Sequence, residues 1–217
     1  MVIAIDGPAA SGKSSTAQWV ARRLGFFHVD SGSLYRALTA VQLEADPIVD
    51  RWTEATVLMQ AVRISFVPAE RTFLPLLDGV ASDELLRGTA VTQAVSRVAV
   101  MPAARQWVND QVRAASKMRD VVVDGRDMGT AVFPDAELKV FLVADPWERA
   151  RRRLIQRLGR QPNDGEIALE TELLVKRDAK DATQTVQAAD AVLIDTTFLT
   201  QEDQVERIVA LAKAAEK

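Results

Sequence analysis

Residues 7–14 read Gly7-Pro8-Ala9-Ala10-Ser11-Gly12-Lys13-Ser14, a complete G-x-x-x-x-G-K-S/T stretch, and few patterns restrict a fold as tightly. Just before it, Val2, Ile3, Ala4 and Ile5 predict a buried strand; just after it, Ala17, Val20, Ala21 and Leu24 recur at helical spacing. A strand that runs through a small-residue loop into a helix turns successive backbone N–H groups inward. The helix N-terminus adds partial positive charge, and the two together cradle phosphate. On this reading Gly7, Pro8, Ala9, Ala10, Ser11, Gly12, Lys13, Ser14 and Ser15 hold the phosphates of a nucleotide. Lys13 reaches the β and γ phosphates and the Ser14 hydroxyl holds Mg²⁺. The loop alone does not separate a kinase from a GTPase or a motor ATPase.

The helix over about 14–24 is expected to end at Gly25, a C-cap glycine. A short strand at 26–29 then completes a strand–helix–strand unit, hence a parallel sheet. Open α/β sheets bind ligands at the carboxyl ends of their strands, so residues 30–36 share a rim with the phosphate loop. Arg36 there meets an anion or is a solvated helix arginine. Helical patterns cover about 39–43 and 53–62. Alternation over 64–67, a break at Pro68, an extended run over 71–77 and the turn pair Asp78-Gly79 predict a small β insertion. Helices are expected over about 84–100 and 102–115, with Pro102 at the first helical position. A lobe inserted there, between the second and third strands, is placed to read a second substrate.

Val121-Val122-Val123 predicts a strand buried on both faces, ending in Asp124-Gly125-Arg126-Asp127. Asp124 at the strand tip either steadies Mg²⁺ or is a turn aspartate before glycine. Arg126 and Asp127 exceed what a turn needs. Another strand spans 138–143, and a helix opening at Asp145-Pro146 carries Glu148, Arg149, Arg151, Arg152 and Arg153. The polar stretch 157–165, with Arg157 and Arg160, suits a short mobile lid, while Arg151 and Arg152 read as a solvated charged face. A helix over 167–181 sets Arg177 and Asp181 four apart on one side, as site residues or as a surface ion pair. Asp190 and Asp195 enclose the last strand, and Thr200 with Asp203 opens a final amphipathic helix. Lone His28 reads as structural.

A length of 217 residues suggests one domain or one domain with an inserted lobe, and 48% apolar with 26% charged residues is ordinary for a soluble globular protein. A net charge of −3 argues against a broad grip on a nucleic-acid polymer or an anionic membrane. With no cysteine, disulfides and thiolate metal sites are excluded. No apolar run reaches membrane length and no leader pattern opens the chain, so a cytoplasmic protein is expected. A guanine-reading N-K-x-D stretch and the protein-kinase signatures are missing. Arginines at four places, Arg36, Arg126, Arg177 and the 149–160 group, predict an anionic second substrate held by guanidinium groups.

At GPAASGKSS (7–15), DSGSLYR (30–36), SRVAVMPAAR (96–105), DGRDMGTAVFPD (124–135), RDAKD (177–181) and DAVLIDTT (190–197) the chain resembles the bacterial cytidylate kinases, nucleoside monophosphate kinases that phosphorylate CMP and dCMP. The resemblance implies a three-layer α/β phosphate-loop kinase fold with a central five-stranded parallel sheet, in one domain over 1–217. Its core would cover about 1–30, 119–150 and 182–217. A nucleotide-monophosphate lobe with the β insertion would cover about 31–118, and a short lid 151–165. It further implies ATP as donor with Mg²⁺ held by Ser14 and Asp124, and a monomer. Lys13, Arg36, Arg126 and Arg177 would serve the transfer. Ser96, Arg105 and Asp127 would read the cytosine ring, Ser31, Arg36 and Arg126 would lie near the acceptor phosphate, and Arg177 with Asp181 near the sugar. One departure is Gln184, where many family members have an arginine. The base chemistry agrees: cytosine offers an amine donor where uracil offers a carbonyl. The Asp127 carboxylate accepts from the amine and opposes the carbonyl.

Overall fold

A computed structural model describes residues 1–215. In chain order the elements are β1 (Val2–Asp6), α1 (Lys13–Leu24), β2 (Phe27–Asp30), α2 (Ser31–Ala45), α3 (Glu54–Met59), β3 (Ile64–Ala69), β4 (Thr72–Leu77), α4 (Asp83–Arg87), α5 (Thr89–Ala99) and α6 (Pro102–Ser116). There follow β5 (Val121–Asp124), β6 (Leu138–Val143), α7 (Pro146–Leu158), α8 (Asp164–Asp181), β7 (Val192–Asp195) and α9 (Gln201–Ala215). The chain divides into two compact units, residues 1–26 with 121 onward, and residues 27–120.

In the first unit four strands run parallel in the order β5-β1-β6-β7. Ile3 of β1 lies opposite Val122 on one side and Leu138 on the other, and Val140 of β6 opposite Val192 of β7. Side chains alternate across a pleat, so Ile3, Ile5, Val122, Leu138, Val140, Leu142 and Ile194 gather on one face. Ala17, Val20 and Ala21 of α1 and Val205, Ile208, Val209 and Ala212 of α9 close over them. These helical residues recur every three or four positions, the spacing that builds one apolar stripe. Gly25 ends α1 as expected, at φ 76, its N–H donating to the carbonyls of Ala21 and Arg22. A second cluster joins Ala150 and Leu154 of α7 to Ile167 and Leu174 of α8, and it includes Ala9.

In the second unit β3 and β4 form an antiparallel hairpin, with Phe66 opposite Pro75, and β4 pairs in parallel with β2 through Thr72 and His28. The β insertion therefore extends the edge of β2 and is not a separate small sheet. That raises the number of strands among the described residues to seven where five were expected. Unpaired backbone on β2 is the physical reason, since buried N–H and C=O groups need partners. His28 is buried, with Thr72 Oγ1 3.3 Å from its Nδ1. The helix expected over 84–100 is two helices, because Gly88 is extended (φ −56, ψ 156) and starts a new turn. Pro102 does occupy the first turn of α6. Ala37, Ala40 and Val41 of α2 pack with Leu77, Leu86 and Val91 in this unit's own core.

Candidate active site

Both motif glycines are demanded by geometry. Gly7 has φ 145, and a Cβ there would stand 2.1 Å from the Leu142 carbonyl oxygen; Gly12 has φ 90, a left-handed conformation that side chains resist. Lys13 opens α1 and is buried, its Nζ donating to Pro8 O (2.6 Å) and Ser11 Oγ (3.4 Å). Parallel pairing sets Asp124 of β5 level with Ile5, so the β5 tip lies beside the loop, and Ser14 Oγ donates to Asp124 Oδ2 at 2.5 Å. A hydroxyl and a carboxylate in contact are the hard oxygen donors that suit Mg²⁺, which takes few protein ligands and completes its shell with phosphate and water. Among the described residues no group of three or more His, Asp or Glu that could hold a metal is found.

Next to the loop stand Arg126, Arg177 and Asp181. Arg126 Nη1 donates to Gly7 O (3.3 Å), and its Nε is 3.6 Å from Asp181 Oδ2, the oxygen that also lies 3.6 Å from Arg177 Nε. Arg177 Nε is buried and makes no hydrogen bond. Burial, then the charge of Arg126, lowers the Lys13 pKa well below its ordinary value. Burial, then Arg177, lowers that of Arg126, and burial lowers that of Arg177, with Arg153 adding to the repulsion. Three cations crowded into a desolvated site repel each other, and a polyanion relieves the repulsion. Asp127 is also buried.

Asp6, at the tip of β1, escaped the sequence reading. Buried at 4% exposure, it accepts from the N–H groups of Met128 and Gly129, both at 2.8 Å. It thereby holds the turn that follows Arg126 and Asp127. Burial raises its pKa to about 6, partly offset by those two amides and reinforced by the Asp127 charge. The available signal was position: a carboxylate ending a strand directly before the loop's first glycine.

The arginines of α7 divide by partner. Arg149 is buried against the loop and paired with Asp178 at 2.6 Å. Arg152 is not on a solvated face, because its Nη2 donates to Thr196 O (2.6 Å) and Thr197 O (2.8 Å), carbonyls just past the end of β7. Arg151 is exposed as expected and lies 3.5 Å from Glu148. Arg153 and Arg157 both reach Glu170 of α8, at 3.1 and 3.2 Å, and Arg160 binds Glu166. Of residues 151–165, those through Leu158 belong to α7 and those from Asp164 to α8, leaving 159–163 between the helices.

In the second unit the four remaining candidates surround α2. Ser31 begins that helix and is buried. Arg36 Nη1 donates to Leu86 O and Thr92 Oγ1, both at 3.0 Å, so this arginine ties α4 and α5 to α2. Arg105 of α6 donates to Ala99 O (3.1 Å) and lies over the Tyr35 ring at 5.9 Å. Ser96 is half-buried on α5.

The family described as cytidylate kinase matches residues 3–214. A cytidylate kinase of Geobacillus kaustophilus is 41% identical over 214 residues, covering 96% of this chain and 95% of its own. One of Limosilactobacillus fermentum is 39% identical over 210 residues, covering 95% and 92%. Among solved structures, a shikimate kinase from Bacteroides thetaiotaomicron aligns over 98% of both chains at 17% identity and a TM-score of 0.47. The family match over residues 3–214, with relatives 39% and 41% identical over nearly the whole chain, places the chain in the cytidylate kinase family.

Proposed function

We propose that the protein transfers the γ-phosphate of ATP to CMP or dCMP, giving ADP and CDP or dCDP. The observation that carries this reading is the trio Lys13, Arg126 and Arg177 gathered at the phosphate loop, with Lys13 Nζ on Pro8 O, Arg126 Nη1 on Gly7 O and one Asp181 oxygen 3.6 Å from both guanidinium groups, in a chain of this family. The acceptor oxygen is already anionic, because a phosphate monoester's second pKa is about 6. No strong base is required. The chain's task is to hold two sets of phosphates in line and neutralise the charge on the group in flight. In this reading loop amides and Lys13 grip the donor, and Arg36, Arg126 and Arg177 serve the acceptor phosphate. Ser31 lies near that phosphate and Asp181 near the sugar, while Ser96, Arg105 and Asp127 read cytosine. Ser14 and Asp124 would hold Mg²⁺, which supplies positive charge between the donor phosphates when bound. We place the enzyme in the cytoplasm as a monomer. Its lack of cysteine suits a reducing compartment.

Coupled measurement of ADP formation across CMP, dCMP, UMP and AMP tests the assignment: CMP and dCMP should be used far better than UMP or AMP. Asp127→Ala should narrow the CMP-to-UMP ratio of kcat/KM by at least about tenfold, the loss of one buried hydrogen-bonded discriminator. An unchanged ratio would remove Asp127 from base recognition.

A further inference from the structure

Ala9 belongs to two structures at once. It is the third residue of the phosphate loop, yet its methyl group sits in the apolar cluster of Ala150, Leu154, Ile167 and Leu174, between α7 and α8. Its backbone is held by the same two helices. The Ala9 N–H donates to Asp178 Oδ1 (3.2 Å), and its carbonyl accepts from Arg149 Nη1 (2.8 Å). That Nη1 also donates to Asp178 Oδ2 (2.6 Å), and Arg149 Nε donates to Ala144 O (3.1 Å) beyond β6. One ion pair, its arginine buried, its aspartate partly exposed and its members on different helices, thus fixes the peptide groups on both sides of Ala9.

An ion pair with one member desolvated is a weak source of net stability, since the cost of desolvation offsets much of the attraction. What a planar guanidinium fork provides is fixed distances, which an ammonium on a flexible stem does not. We propose that Arg149 and Asp178 are positioning residues for phosphate transfer. They hold Ala9, and through it Pro8, whose carbonyl receives the Lys13 ammonium, in the arrangement that grips the donor phosphates. The inference rests on the reading of this loop as the ATP site.

Steady-state kinetics of Arg149→Ala, Asp178→Ala and the double variant test it. Each single change should lower kcat/KM for ATP by about tenfold to a hundredfold, the scale of a loop displaced by a fraction of an ångström, while KM for CMP stays within about twofold. The double variant should be no worse than the worse single, because both break one clamp. Arg149→Lys should fail to restore activity, since it keeps the charge and loses the fork. Losses that multiply in the double variant, an equal rise in KM for CMP, or wild-type kinetics in either single variant would each overturn the clamp. If Arg149→Ala does not fold, Arg149→Lys and Asp178→Asn form the same cycle, with the same supporting and overturning outcomes. Wild-type enzyme without CMP-dependent turnover sinks both this inference and the kinase reading. Normal wild-type turnover beside unaffected variants sinks the clamp alone.

Discussion

Asp6 and Gly7 are chain neighbours under opposite constraints. Gly7 tolerates no side chain because the Leu142 carbonyl oxygen fills the space, whereas Asp6 is needed for its carboxylate, which receives two backbone amides inside a buried site. Its folded-state pKa of about 6 exceeds the ordinary 3.8, so its contribution to stability is complete below pH 4 and is lost as pH rises through 6. A shift of that size corresponds to about 3 kcal/mol. Asp6→Asn removes the titration, so between pH 4 and pH 8 its stability relative to wild type should improve by about that amount in urea unfolding. A difference between the two proteins that stays flat over this range would show that Asp6 ionises freely in the folded state.

Helices α7 and α8 show how local signals and distant contacts share one element. Both begin on side-chain caps: Asp145 accepts from the N–H of Trp147, and Asn163 and Glu166 cap each other reciprocally across the first turn of α8. Such caps can be read from the sequence, as Pro146 after Asp145 was. Asn163→Ala should cost about 1 kcal/mol, seen as a lower urea midpoint with an unchanged slope; no loss would show that Glu166, paired with Arg160, caps the helix end unaided. What the local sequence did not reveal is that Arg149 and Arg152 face inward. A run of five charged residues in six, from Glu148 to Arg153, looks alike from every side until the partner carbonyls of Ala9, Thr196 and Thr197 are known.

For the whole molecule, the proposed Mg²⁺ ligands Ser14 and Asp124 stand at the phosphate loop, while the core of the first unit is held by apolar side chains of β1, β5, β6, β7, α1 and α9, so the metal belongs to the transfer step. EDTA should therefore stop turnover while leaving the melting temperature unmoved, and a fall in melting temperature on chelation would contradict it. Likewise, no helix among the described residues is long and apolar enough to cross a membrane. The phosphate loop, the parallel sheet through β1, β5 and β6, and the capping of α1 and α6 were legible in the sequence by itself. Each follows from neighbours along the chain: an apolar run, a glycine that alone accepts its φ, a proline that opens a helix. The pairing of β4 with β2, the burial of Asp6, and the closing of Arg149 and Asp178 on Ala9, 140 and 169 residues distant, were decided only by tertiary structure. A buried carbonyl, amide or charge must find a partner wherever the fold supplies one, and sequence order does not say where that is.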